Sequence, residues 1–155
     1  MKNYNCKPLY TKTGNGSLHY KIGMQIRGEL DKVWDNVTKS ENLMRYFTSD
    51  AKKNLDTTGE VLWAWGENAV ILNVIEVVPH SKIVLEWNGN MVEYKIRAEI
   101  TFQQIKNKVL VKISESGWEN SELGIKNALS NCNGWSDFLN ALRVFTEYKI
   151  SYLNK

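Results

Sequence analysis

Histidine, cysteine and proline are scarce in this 155-residue chain, with two of each. That scarcity removes several kinds of chemistry at once. His19 and His80 form no His-x-x-x-His pair, and Cys6 and Cys132 form no Cys-x-x-Cys pair. Structural zinc needs about four ligands at defined spacing, so neither a metal nor another cofactor is expected. Glycine-rich phosphate loops are missing too. Gly14-Asn15-Gly16 precedes a strand pattern rather than a helix, and Gly117 to Gly124 lacks the spacing. There is no G-x-S-x-G elbow. No run of about 18 apolar residues exists to span a membrane. The polar start from Met1 to Leu18 has no apolar central region, so it does not read as a secretory signal.

Charge of one sign is also lacking. Twenty Lys and Arg face seventeen Asp and Glu, a net charge of +3. The longest basic run is Lys52-Lys53, with acids interspersed throughout, so a nucleic-acid footprint is not expected. The two distant cysteines read as free thiols in a reducing compartment, which makes a cytoplasmic location the expectation. At 43% apolar residues the chain is too hydrophobic for disorder. Its length suits one domain. Residues 1–16 read as an N-terminal tail, and 17–153 as the domain.

Apolar periodicity supplies the elements. Leu18, Tyr20, Ile22, Met24 and Ile26 alternate as one face of a strand. Leu30, Val33, Trp34 and Val37 then fall at i, i+3, i+4, i+7, one face of a helix. A second short helix opens at Ser40-Glu41, with Leu43, Tyr46 and Phe47 as its apolar side. From Gly59 to Ser116 the chain alternates as successive strands joined by short connections at Pro79-His80-Ser81-Lys82, Gly89-Asn90 and Asn107-Lys108. These imply an antiparallel meander. Val70 to Val78 is apolar at nearly every position, so its inward face is not fixed by the pattern. The last quarter is helical, with a stripe through Ala128, Leu129, Cys132, Trp135, Leu139 and Leu142. Gly134 within it marks either a kink or a close approach to the sheet. The fold class is α+β: a curved antiparallel sheet covered by one long C-terminal helix and two short ones, with a cleft between sheet and helix.

Aromatic residues are plentiful, six of them tryptophan. Trp34 fits plain helix packing. Trp63, Trp65, Trp87, Trp118 and Trp135 fall on inner faces or at the mouth of the cleft, where filling the core and lining a ligand cavity both account for them. Tyr94 and Asn131 are candidate polar groups, although Asn131 equally fits a solvent face. Glu115 continues the inner face of Val109, Val111 and Ile113. A carboxyl group there either meets solvent at the strand end or lies desolvated in the cleft, able to orient a ligand or exchange a proton. The candidate cavity residues are therefore Trp63, Trp65, Trp87, Tyr94, Glu115, Trp118, Trp135 and Leu139; no catalytic residue is assigned.

Several segments together resemble one family. They are Val33 to Thr38 (VWDNVT) with Leu43 to Phe47 (LMRYF), Gly59 to Trp65 (GEVLWAW), Val74 to Pro79 (VIEVVP), Lys82 to Trp87 (KIVLEW), Ser114 to Trp118 (SESGW) and Asn133 to Leu142 (NGWSDFLNAL). In order and spacing they are similar to the heat-shock-protein-90 ATPase activator homologues. That family lies within the START-related and birch-pollen-allergen superfamily. Tyr46 stands where the family often has tryptophan. The resemblance covers about residues 17 to 151. It implies a helix-grip fold, with a seven-stranded sheet around the C-terminal helix and a hydrophobic cavity between them. Family members include lipid carriers, cyclases and chaperone-activating domains. Three functions follow as expectations. The first is binding of a small hydrophobic or amphipathic ligand. The alternatives are a co-chaperone-like interaction with another protein, and an enzyme of cyclase or hydrolase type. Either a monomer or a homodimer is compatible, with Tyr148, Ile150 and Tyr152 as apolar residues for self-association.

Overall fold

The computed structural model describes residues 10–12, 17–89 and 92–151. Strand β2 (Ser17–Arg27) leads into helices α1 (Leu30–Thr38) and α2 (Ser40–Tyr46). Strands β3 (Asp50–Ala51), β4 (Gly59–Trp65), β5 (Asn68–Val78), β6 (Lys82–Asn88), β7 (Lys95–Ile105) and β8 (Lys108–Glu119) follow, and α3 (Glu122–Tyr148) closes the chain. Strands β2 to β8 form the expected seven-stranded antiparallel sheet. Within the sequence-defined tail, β1 (Tyr10–Lys12) adds an eighth strand beside β2. The spatial order is β1-β2-β8-β7-β6-β5-β4-β3.

The pairing of β2 with β8 joins the two ends of the domain. Helices α1 and α2 carry the chain from that edge to β3 and β4 at the other. Helix α3 packs on β2 and β8 and meets α1 and α2. The core lies between. It takes Val33, Trp34 and Val37 from α1, Ile96, Ala98 and Ile100 from β7, and Phe138, Leu142 and Phe145 from α3. Trp34 is a core residue, as its spacing implies, edge-on to Phe102.

Four local features shape the sheet and α3. Ser121 caps α3 by accepting from the Gly124 backbone N–H at 3.1 Å. The β5–β6 connection is the tight turn at Pro79-His80, with His80 at a φ of 57°. The ambiguous β5 turns Leu72 and Val74 to the core by plain alternation, and a register shift follows between Val74 and Glu76. The turn after β7 is set by Lys106 at a φ of 55°. The Gly14–Gly16 and Gly89-Asn90 turns, Cys6 and Tyr152 fall wholly or partly outside the described residues.

One detail of α3 differs from the sequence reading, and for a second, one of two alternatives falls away. Leu129 is 59% exposed and does not belong to the buried stripe. At about 100° per residue it lies round the helix from Ala128 on the side opposite Phe138. Gly134 makes no close approach to the sheet: a Cβ built there meets nothing within 4 Å. No described helix is long and apolar enough to cross a membrane.

Candidate functional site

Where α3 seats on β2 and β8 the interior is solid. Toward β4, β5 and β6 the sheet and helix diverge around a cavity of about 1080 Å³. Its floor is buried and aromatic. Strand alternation brings Trp63 and Trp65 of β4 to one face, beside Leu72 of β5 and Trp87 of β6. Tyr46 and Phe47 close the end next to α2. Helix α3 supplies Trp135 and Ala141 to the wall, and Ser130, Asn131, Gly134, Asp137 and Asn140 toward the mouth.

The rings brace one another mainly edge to face. Phe47 meets Trp63 at 5.6 Å and Trp65 at 5.3 Å between centroids. Trp65 Nε1 donates to the Phe47 carbonyl at 3.0 Å. Trp135 spans the cavity's inner end, 6.4 Å from Trp63 and 6.3 Å from Trp87. These geometries favour aromatic pairing and fix the wall before anything enters.

Behind Trp135 lies the most unusual group in the molecule. Glu115 is fully buried. Its Oε1 accepts from Trp118 Nε1 at 2.6 Å, and its Oε2 accepts from Trp135 Nε1 at 2.6 Å and from Asn131 Nδ2 at 3.4 Å. Tyr20 stands opposite it across β2 and β8. The Tyr20 hydroxyl has no hydrogen-bond partner of normal geometry, and burial beside this carboxyl raises its pKa. No basic side chain pairs with Glu115 among the described residues. Burial raises its pKa above the usual carboxyl value, and the indole donors of Trp135 and Trp118 oppose that shift only in part. Burial, then the Glu115 charge, likewise raises the pKa of the Cys132 thiol.

One backbone feature makes this cluster possible. The β2–β8 register pairs His19 with Ser116 and Leu18 with Trp118, leaving Gly117 as the extra residue of a bulge. Strict alternation would send Trp118 to the face opposite Glu115. The bulge returns it to the inner face, where it is 1% exposed. Gly117 has a φ of 102°, and a Cβ there would sit 2.8 Å from the Lys95 carbonyl oxygen.

Four of the eight sequence-derived cavity residues, Trp63, Trp65, Trp87 and Trp135, lie on the cavity wall. The other four do not. Glu115 and Trp118 sit behind it. Leu139 is buried in the core. Tyr94 packs edge-on to Trp118 at 6.4 Å, and its hydroxyl accepts from the Glu119 backbone N–H at 3.4 Å. Alternation points Glu115 inward and the bulge returns Trp118 to the same face, but α3 seats on β2 and β8 and leaves the cleft open only farther along the sheet. The mouth residues Ser130, Asp137 and Asn140 were missed. On a helix they read as solvent-facing, and the one signal was Gly134 among them. No described cluster of three or more His, Cys, Asp or Glu could hold a metal ion.

Comparisons with known proteins agree with this architecture. A search of curated proteins finds no significant match. Among solved structures, protein SSP2350 from Staphylococcus saprophyticus is similar, with a TM-score of 0.74 and 17% identity over 87% of this chain and 96% of that one. The Aha1 dimer from Colwellia psychrerythraea superposes with a TM-score of 0.71 and 18% identity, over 84% of this chain and 96% of that one. CalU16 from Micromonospora echinospora gives 0.66 and 16%, over 92% and 83%. At these identities the likeness shows the fold. The family model described as Activator of Hsp90 ATPase homolog 1-like protein matches residues 28–147. With its helix-grip sheet, two short helices and long closing helix, the chain belongs to that family.

Proposed function

We propose that this protein binds a small hydrophobic or amphipathic molecule between its sheet and α3. The observation that carries the reading is the aromatic-floored cavity of about 1080 Å³. Ligand pockets are typically ~300–1,000 Å³, mostly apolar, with a few placed polar groups. The buried floor of Trp63, Leu72 and Trp135 supplies apolar contact. Asn131 and Asn140 supply hydrogen bonds nearer the mouth. Glu115 acts from behind the wall as a positioning residue: it holds the Trp135 indole and draws Asn131 to a fixed place.

The test is native mass spectrometry of freshly purified protein, followed by extraction and identification of what is released. A stoichiometric small molecule is expected. The matched control is Gly134→Leu, which projects a side chain into open space and improves helix propensity. It should fold normally and lose the ligand. Equal retention of the ligand by Gly134→Leu would place the site elsewhere. The same spectra report whether the protein is a monomer or, like the Colwellia structure, a dimer.

A further inference from the structure

The ligand's charge class is readable from the cavity wall; this step rests on the ligand-binding reading above. Asp137 is the only charged residue lining the cavity among those described, and no Lys or Arg lines it. The other polar lining side chains, Asn88, Ser130, Asn131 and Asn140, are neutral. Asp137 is exposed at the mouth, and no described basic side chain pairs with it. The basic residues of α3 are Lys126 and Arg143. Neither lines the cavity, and Arg143 is turned to Glu147 at 3.4 Å. A second carboxyl, Glu115, lies behind the wall with only neutral hydrogen-bond donors on it.

An anionic head group entering this cavity would shed hydration and meet no cation, which is costly. It would also approach two carboxyl groups. A cationic head is favoured twice, by the Asp137 carboxylate and by the π faces of an aromatic wall. A flat apolar body fits the rings of Trp63, Trp87 and Trp135. We infer that the cavity selects an aromatic amphiphile carrying a positive charge, accepts an uncharged one, and rejects molecules whose head is a carboxylate or phosphate.

Three probes sharing one naphthalene ring test this: naphthylmethyl-trimethylammonium, naphthylmethanol and naphthoate. Each is titrated into the full ¹⁵N-labelled chain while the indole N–H signals of its six tryptophans are followed. The ammonium probe should bind about tenfold tighter than naphthoate, with the alcohol between them. Asp137→Asn should narrow the gap between ammonium and alcohol about threefold. Naphthoate binding as tightly as the ammonium probe overturns the charge class and leaves the ligand-binding reading intact. An unchanged gap in Asp137→Asn overturns the assignment to that carboxylate. Indole signals that none of the three probes moves at millimolar concentration overturn the ligand-binding reading, and the charge class with it.

Discussion

The Trp135 indole N–H donates to the Glu115 carboxylate at 2.6 Å, tying the inner wall of the cavity to the last strand of the sheet. The bond is buried on both sides, since Trp135 is 8% exposed and Glu115 fully enclosed. With Trp118 Nε1 on the other oxygen, one carboxyl satisfies two buried indoles. Leaving a buried donor unpaired costs about 1–3 kcal/mol, so this group is the point at which packing, stability and the shape of the cavity meet.

Replacing Glu115 by Gln keeps its size but leaves one acceptor oxygen for two indole donors. One indole N–H then faces an amide NH₂. Glu115→Gln should cost about 1–3 kcal/mol in urea unfolding, and Glu115→Leu more, because both indoles then lose their acceptor. A Glu115→Leu protein as stable as the parent would overturn a net stabilising role for this carboxyl.

The same carboxyl predicts a pH dependence. Its folded-state pKa is raised by burial, so between its unfolded and folded values the native protein holds more protons than the unfolded chain. Its contribution to stability is fullest below the ordinary carboxyl range, about pH 4. It is lost as pH rises through the folded pKa. Unfolding of the parent and of Glu115→Gln, measured from acid to neutral pH, should differ in slope in that direction. Parallel curves would overturn the assignment.

Two tryptophans with similar rings should respond differently to the same change. Trp63 Nε1 is buried without a partner, whereas Trp135 Nε1 is bonded. Trp63→Phe removes an orphan donor along with some apolar area. Trp135→Phe removes area and takes a donor from Glu115. Calorimetry should find Trp135→Phe the more destabilising, by about 1 kcal/mol or more. The reverse order would refute it.

Gly117 and Gly66 both have positive φ, 102° and 62°. Alanine at Gly66 meets open space, whereas at Gly117 it meets the Lys95 carbonyl oxygen. Gly66→Ala should cost about 1 kcal/mol from backbone strain alone. Gly117→Ala should cost more and displace Trp118 from Glu115, visible as a shifted indole N–H signal. Equal costs would mean that the bulge tolerates a side chain.

Much of this was legible beforehand. The alternation of Val109, Val111, Ile113 and Glu115 alone placed the carboxyl inward, because side chains on a strand have a strict period of two. The α1 spacing placed Trp34 in the core by the same kind of argument. The bulge at Gly117 was not legible, since one extra residue reverses the faces after it without changing the composition. Nor were the mouth residues. Ser130, Asp137 and Asn140 have the polarity of an ordinary solvent face, and only the divergence of α3 from β4, β5 and β6 gives them a cavity to border.

The sequence by itself determined the order and type of the elements, the inward direction of Glu115, Trp63 and Trp135, and the family, because these depend on local periodicity and on spacing along the chain. Tertiary structure alone decided which of those inward residues border empty space and which are packed solid. That depends on how far a curved sheet lies from the helix across it, a distance set by strands and helix far apart in the chain.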